Sequence, residues 1–116
     1  KEIESGALTA EEVAEAAGVA FGGAVKGPVP HLYVSLKPGF DASEDLAKKI
    51  SAAVSDVVGK IARPSKVYIV PDMPKTRSGK IMRRILASIS NFKDVGDVTT
   101  LANPHIVEEI RQQVQD

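Results

Sequence analysis

The sequence contains no cysteine. Disulfides, thiolate metal sites and a cysteine nucleophile are therefore excluded, and the composition fits an intracellular, cytoplasmic protein. Aromatic residues make up only 4% of the chain, which leaves little stacking material for a nucleic-acid-binding module, and no recognisable nucleic-acid motif appears. No apolar run approaches the length of a membrane span and no signal-peptide pattern opens the chain. Internal repeats and low-complexity tracts are missing, no His/Asp/Glu cluster has metal-ligand spacing, and no Ser-His-Asp order stands out. Net charge is also absent, with 15 Lys and Arg against 15 Asp and Glu.

What is present is an uneven distribution of that charge. Residues 1–24 carry one Lys and five Glu, whereas residues 60–84 carry eight cations and one Asp. A concentrated basic strip on a neutral protein implies an anionic partner met locally rather than general attraction to polyanions. Nucleotide, coenzyme A and nucleic-acid phosphate all satisfy that requirement at this point. The length of 116 residues, 43% of them hydrophobic, suits one domain with a modest core.

The strip concentrates in Pro74-Lys75-Thr76-Arg77-Ser78-Gly79-Lys80-Ile81-Met82-Arg83-Arg84, with five cations and no acid between positions 75 and 84. Gly79 permits a sharp turn that leaves the next side chain projecting, and Lys80 is then a mobile point charge on a long stem. A phosphate-cradling P-loop needs a Gly five positions before Gly79 and a Ser or Thr after Lys80. Those places hold Pro74 and Ile81, so that motif is excluded. A plain solvated basic turn leading into a helix fits the same residues.

This stretch resembles the C-terminal signature of the AMP-forming acyl-CoA synthetases, the adenylate-forming superfamily, and most of all its acetyl-CoA synthetase branch. A second stretch, Gly96-Asp97-Val98-Thr99-Thr100-Leu101-Ala102-Asn103-Pro104, resembles the same branch. The resemblance implies that Lys80 is the catalytic lysine of acetate adenylation, supported by Arg77, Ser78 and Gly79, and that its acetylation would remove the charge the chemistry needs. It implies ATP, AMP and coenzyme A as substrates or products, with Mg2+ accompanying ATP in the full-length enzyme and none of them held by this piece alone. Partners would be an N-terminal adenylation domain of the same chain, acetate, and an acetyltransferase and deacetylase acting on Lys80, with no membrane and no nucleic acid. Residues 1–116 would form a single mobile lid domain, inactive in isolation, cut from its parent beyond the interdomain hinge. At the position of Ser55 the family commonly has an Arg that meets coenzyme A phosphate, and at Lys60 a Pro. Lys60, Arg63, Lys66, Arg83 and Arg84 are the cations left for phosphate. A sister ligase for propionate or another short acid is the near alternative, and a basic nucleic-acid-binding module the remote one.

Read in order, residues 1–8 form a short helix weakened by Gly6. Over residues 9–21 alanines favour continued helix, but the family pattern puts a strand at about Val13 to Phe21, which is preferred here. His31 to Lys37 alternates as a strand, with His31 read as an ordinary surface residue. A helix from about Ala42 to Val58 is capped by Asp41 with Glu44, and Leu46, Ile50, Val54, Val57, Val58 and Ile61 line its apolar stripe. Val67 to Val70 is a short strand, after which Pro71 and Pro74 hold the chain out at an edge. Met82, Ile85, Leu86 and Ile89 mark a helix of about ten residues with Arg83 and Arg84 off its buried stripe. Residues 91–102 read as an extended loop, and Asn103 caps a final helix whose stripe is Ile106, Ile110 and Val114. The fold class is α/β (α+β), a short sheet of about three strands, mixed or antiparallel, flanked by helices and followed by a C-terminal extension ending in a helix.

Overall fold

The computed structural model describes residues 2–23, 25 and 27–116. Lys1, where the first helix was expected to begin, and Ala24 and Lys26 in the Gly22–Pro28 loop lie outside the described residues. The elements run α1 (Glu2–Leu8), β1 (Val13–Phe21), β2 (Val29–Leu36), α2 (Glu44–Val58), β3 (Lys66–Ile69), α3 (Arg83–Ser90) and α4 (His105–Gln115). The strands form one mixed sheet in the order β1-β2-β3, with β1 antiparallel and β3 parallel to β2. A parallel neighbour requires a crossover, and α2 supplies it.

Alternation along the strands divides the interior into two layers. Leu32 and Val34 of β2 face α1 and α2, packing with Ala7, Ala16, Ile50 and Val54. Tyr33 faces the other way and packs with Ile85, Leu86 and Ile89 of α3 and with Ile106 and Ile110 of α4. The sheet is thus covered on both sides by helices, and the C-terminal extension is part of the second core. In β1, small residues oppose large ones, Ala17 across from Tyr33 and Gly18 across from Leu32, so ladder pairing outweighs the helical preference of its alanines. Gly6 has a packing reason for its place in α1. A Cβ there would lie 3.0 Å from the Cα of Val54, so glycine lets the backbones of α1 and α2 approach.

Several details differ from the sequence expectations. The cap of α2 is Ser43, whose Oγ accepts from the Leu46 amide at 3.0 Å, and not Asp41. The helix accordingly starts two residues later than expected, at Glu44. Its stripe is narrower, because Val57 is half-exposed and Ile61 lies beyond the helix in full solvent. After β3, Val70, Met73 and Pro74 are buried, so the chain is not held out by its prolines. Pro71 is exposed, but Met73 fills the second core, and continuous exposure begins at Arg77. His31 is not a surface residue: at 5% exposure it stacks on Phe21 with centroids 4.3 Å apart, and its Nδ1 meets Ser90 Oγ at 2.9 Å. Burial first and nearby Lys66 second lower its pKa, which favours the neutral ring. Tyr33 shares the same Ser90 hydroxyl at 2.6 Å, and burial pushes its phenol up to about 12.

The edge of the sheet at β1 is covered from α1. Glu4 Oε2 accepts from the Gly18 amide at 2.8 Å, and both carboxylate oxygens accept from Arg83, Oε2 from Nε at 2.8 Å and Oε1 from a terminal nitrogen at 2.7 Å. Arg83 and then the Gly18 amide hold the Glu4 carboxyl below its usual range against partial burial. A depressed carboxylate contributes stability that is present above its unfolded pKa and lost as pH falls through its folded pKa. Glu4→Gln is therefore expected to cost about 1 kcal/mol at pH 7, discounted because Arg83 is half-exposed. Chemical denaturation at stepped pH should show that gap constant above about pH 5 and closing below about pH 4.

Candidate functional site

The basic signature forms a tight hairpin. Lys75 and Ile81 pair as an antiparallel bridge, and the Met82 amide donates to the Pro74 carbonyl at 2.8 Å. Within it, Thr76 holds Lys80 through both its amide and its carbonyl. The Thr76 amide donates to the Lys80 carbonyl at 2.9 Å, and the Lys80 amide donates to Thr76 Oγ1 at 3.1 Å. The turn closes through the Gly79 amide on the Thr76 carbonyl at 2.9 Å, with Gly79 at φ +91°, where a Cβ would be strained. Thr76 and Ser78 hydroxyls lie 2.9 Å apart. Arg77, Ser78, Gly79 and Lys80 are all exposed, so a backbone fixed by hydrogen bonds presents a free cationic stem at its tip.

The five cations of the signature do not share one role. Lys75 pairs with Glu15 of β1 at 2.8 Å and lies 3.6 Å from Asp72, and the Glu15 hydrogen bond raises its pKa. Arg83 is engaged by Glu4. Arg84 donates to the Val95 carbonyl at 2.9 Å. Among the described residues Arg77 and Lys80 form no ion pair. The acidic N-terminal strip thus neutralises the base of the signature and leaves positive charge at the tip, where an arriving anion would meet it.

The C-terminal loop braces that base. Ala102 donates its amide to the Lys75 carbonyl at 2.9 Å. Asn103 Oδ1 accepts from the Lys75 amide at 3.0 Å, while its Nδ2 donates to the Met73 carbonyl at 2.7 Å and to Asp72 at 3.2 Å. Asn103 is therefore not the side-chain cap of α4 expected from its place before Pro104; that helix has Pro104 at its cap position and no side-chain cap bond.

The remaining cations lie elsewhere. Lys60 and Arg63 are exposed on the connection leading into β3, and Lys66 opens that strand opposite His31. The hairpin leaves beyond the other end of β3, so these three residues form no cluster with Lys80. Ser55 is half-buried on α2, and the Gly59 amide donates to its carbonyl at 2.8 Å. Sequence reasoning missed Thr76, Glu15 and the Asn103 side chain as parts of the hairpin. The signal available for Thr76 was its hydroxyl four residues before Lys80 across a glycine turn. Glu15 and Asn103 act over distances along the chain that no local pattern reveals. No group of three or more His, Asp or Glu side chains among the described residues is arranged to hold a metal ion.

Residues 2–80 match the family described as "AMP-binding enzyme C-terminal domain". Acetyl-coenzyme A synthetase of Leptospira biflexa serovar Patoc is 46% identical over 111 residues, which cover 94% of this chain. The chain spans 17% of the length of that relative. Among solved structures, an acyl-CoA synthetase of Brucella canis superposes with a TM-score of 0.70 at 31% identity, covering 77% of this chain and 16% of that one. Acetoacetyl-CoA synthetase from Streptomyces lividans superposes over 98% of this chain and 17% of its own, with a TM-score of 0.73; at 16% identity it shares the fold.

Proposed function

The chain belongs to the AMP-binding enzyme C-terminal domain family, and on that premise we propose that it is the mobile C-terminal domain of an AMP-forming acetate–CoA ligase of the cytoplasm. In the first half-reaction a carboxylate oxygen of acetate attacks the α-phosphorus of ATP, forming acetyl-AMP and expelling pyrophosphate. Negative charge accumulates between two anions, and a cation placed there stabilises it and positions them. Lys80 supplies that cation, with Arg77 beside it and Ser78 and Gly79 shaping the turn. In the second half-reaction the sulfur of coenzyme A attacks the acetyl carbonyl and AMP leaves.

The observation that carries this reading is the hairpin itself, with its base neutralised and braced and Lys80 free at the tip. Such a domain is built to carry one side chain into an active site made elsewhere in the parent protein. ATP would arrive with its Mg2+. The cations before β3, Lys60, Arg63 and Lys66, are offered to coenzyme A phosphates in a second orientation, in which Lys80 is withdrawn. Arg83 and Arg84 already have internal partners, so they contribute less to phosphate than those three. Acetylation of Lys80 by an acetyltransferase would remove the charge and switch off adenylation, and a deacetylase would restore it.

The test is acid-dependent release of pyrophosphate and AMP by the full-length parent protein, supplied with ATP, coenzyme A and either acetate or propionate. Turnover with acetate at least about tenfold more efficient than with propionate is expected, since one methylene is worth roughly 1–3 kcal/mol in a fitted pocket. Preference for propionate would assign the domain to the sister ligase, and no acid-dependent release would overturn the reading.

A further inference from the structure

We propose that Asn103 is a positioning residue for Lys80, a part of the catalytic apparatus supplied by the C-terminal loop, beyond residues 2–80 that match the family. The proposal rests on the adenylation role of Lys80 given above. Its geometric basis is a short chain of bonds. Asn103 accepts from the amide of Lys75 and donates to the carbonyl of Met73, so one side chain grips the strand entering the hairpin on both sides of Pro74. Pro74 accepts from Met82, Lys75 pairs with Ile81, and Thr76 fixes Lys80 through both its amide and its carbonyl. The Ala102 amide on the Lys75 carbonyl supplies a third bond from the same loop.

The loop can serve as a brace because its own ends are anchored in the second core. Leu101 and Ile106, on either side of Asn103, are both 4% exposed. Asn103 itself is half-buried, so its amide is shielded enough to hold its partners and is not simply hydrated. Asparagine suits the place chemically, because a single side chain must accept from an N–H and donate to a C=O. A hairpin that loses this grip keeps its sequence and its charge but lets the Lys80 stem wander. Displacement of a catalytic group by about 1 Å costs up to roughly a hundredfold in rate.

The experiment uses the full-length protein carrying Asn103→Ala. Three quantities are read: acetyl-AMP formation, acetyl transfer from supplied acetyl-AMP to coenzyme A, and amide hydrogen exchange in residues 75–82 against residues 13–21. The expected result is an adenylation turnover lowered by about tenfold with the KM for ATP within about twofold, and transfer within about twofold of wild type. Exchange in residues 75–82 should quicken by about tenfold while residues 13–21 stay protected. Should the alanine variant fail to fold, Asn103→Asp preserves the acceptor for Lys75 and removes both donors, and the same selective loss is expected of it. Unchanged exchange in residues 75–82, equal loss in both half-reactions, or local loosening with unimpaired adenylation each overturns the proposal. Lys80→Ala measured alongside separates the two readings. If that variant keeps adenylation, the role of Lys80 falls, whereas the exchange data alone decide whether Asn103 grips the hairpin.

Discussion

Lys80→Ala in the full-length protein is expected to slow acetyl-AMP formation by about a hundredfold or more. The estimate comes from the charge the chemistry must bear. At about 4 Å and an effective dielectric near 20, one charge contact is worth roughly 4 kcal/mol before desolvation. A discount for desolvation leaves on the order of 3 kcal/mol, which is about a hundredfold in rate. The structure adds a reason why no neighbour should compensate. Lys75 is held by Glu15 and Asp72, Arg83 by Glu4, and Arg84 by a backbone carbonyl, so among the described cations of the signature Arg77 alone shares the exposed tip. Lys80→Arg should recover little, because a planar fork presents its charge differently from a compact ammonium. Single-turnover formation of acetyl-AMP from ATP and acetate measures both variants directly.

Ile110→Ala is expected to destabilise the 116-residue chain by about 2–5 kcal/mol. Ile110 is fully buried in the core layer that also holds Tyr33, Ile85, Leu86, Ile89 and Met73. Its removal costs the transfer energy of the lost methyls and leaves a cavity that the sheet on one side and α3 on the other cannot readily fill. The unfolding temperature should drop by on the order of 10 °C for a domain of this size, read by circular dichroism. A change of this kind on an appended tail would leave the rest of the domain unaffected. A single cooperative transition at the lower temperature would show that α4 belongs to the same folding unit as the sheet.

Much of the fold was legible because its signals are local. The long helix ending at Val58 before Gly59 and the alternation around Leu32, Tyr33 and Val34 follow from periodicity and turn residues, whereas the Val13–Phe21 strand came from the family pattern against the helical preference of its alanines. Two of the errors, at His31 and Asn103, concern a side chain whose partner is distant in sequence, whereas the cap of α2 is a choice between two neighbouring residues. Asp41 and Ser43 are both adequate caps by type, and it is Ser43, in extended backbone, whose hydroxyl accepts from the Leu46 amide. His31 sits beside Pro30 at the start of a strand, yet Ser90 on α3 and Phe21 on β1 enclose it. Asn103 before Pro104 has the spelling of a cap, but three groups around Met73 and Lys75 claim its amide instead.

The candidate site shows the same division. The projection of Lys80 after Gly79 was legible, since a glycine turn in a basic run needs no distant partner. The neutralisation of Lys75 and Arg83 by Glu15 and Glu4 was not legible, because nothing in the spacing says which acid meets which base. The separation of Lys60, Arg63 and Lys66 from the hairpin depends on which end of β3 each occupies, a matter of topology rather than composition.

The measurement that bears most directly on the central claim compares wild type and Lys80→Ala, in the full-length protein, in each half-reaction separately. One arm follows acetyl-AMP formation from ATP and acetate, and the other follows acetyl transfer to coenzyme A from supplied acetyl-AMP. A lysine carried in for adenylation and withdrawn for transfer predicts collapse of the first rate with the second within about twofold of wild type. Retention of both rates, or equal loss of both, would contradict it.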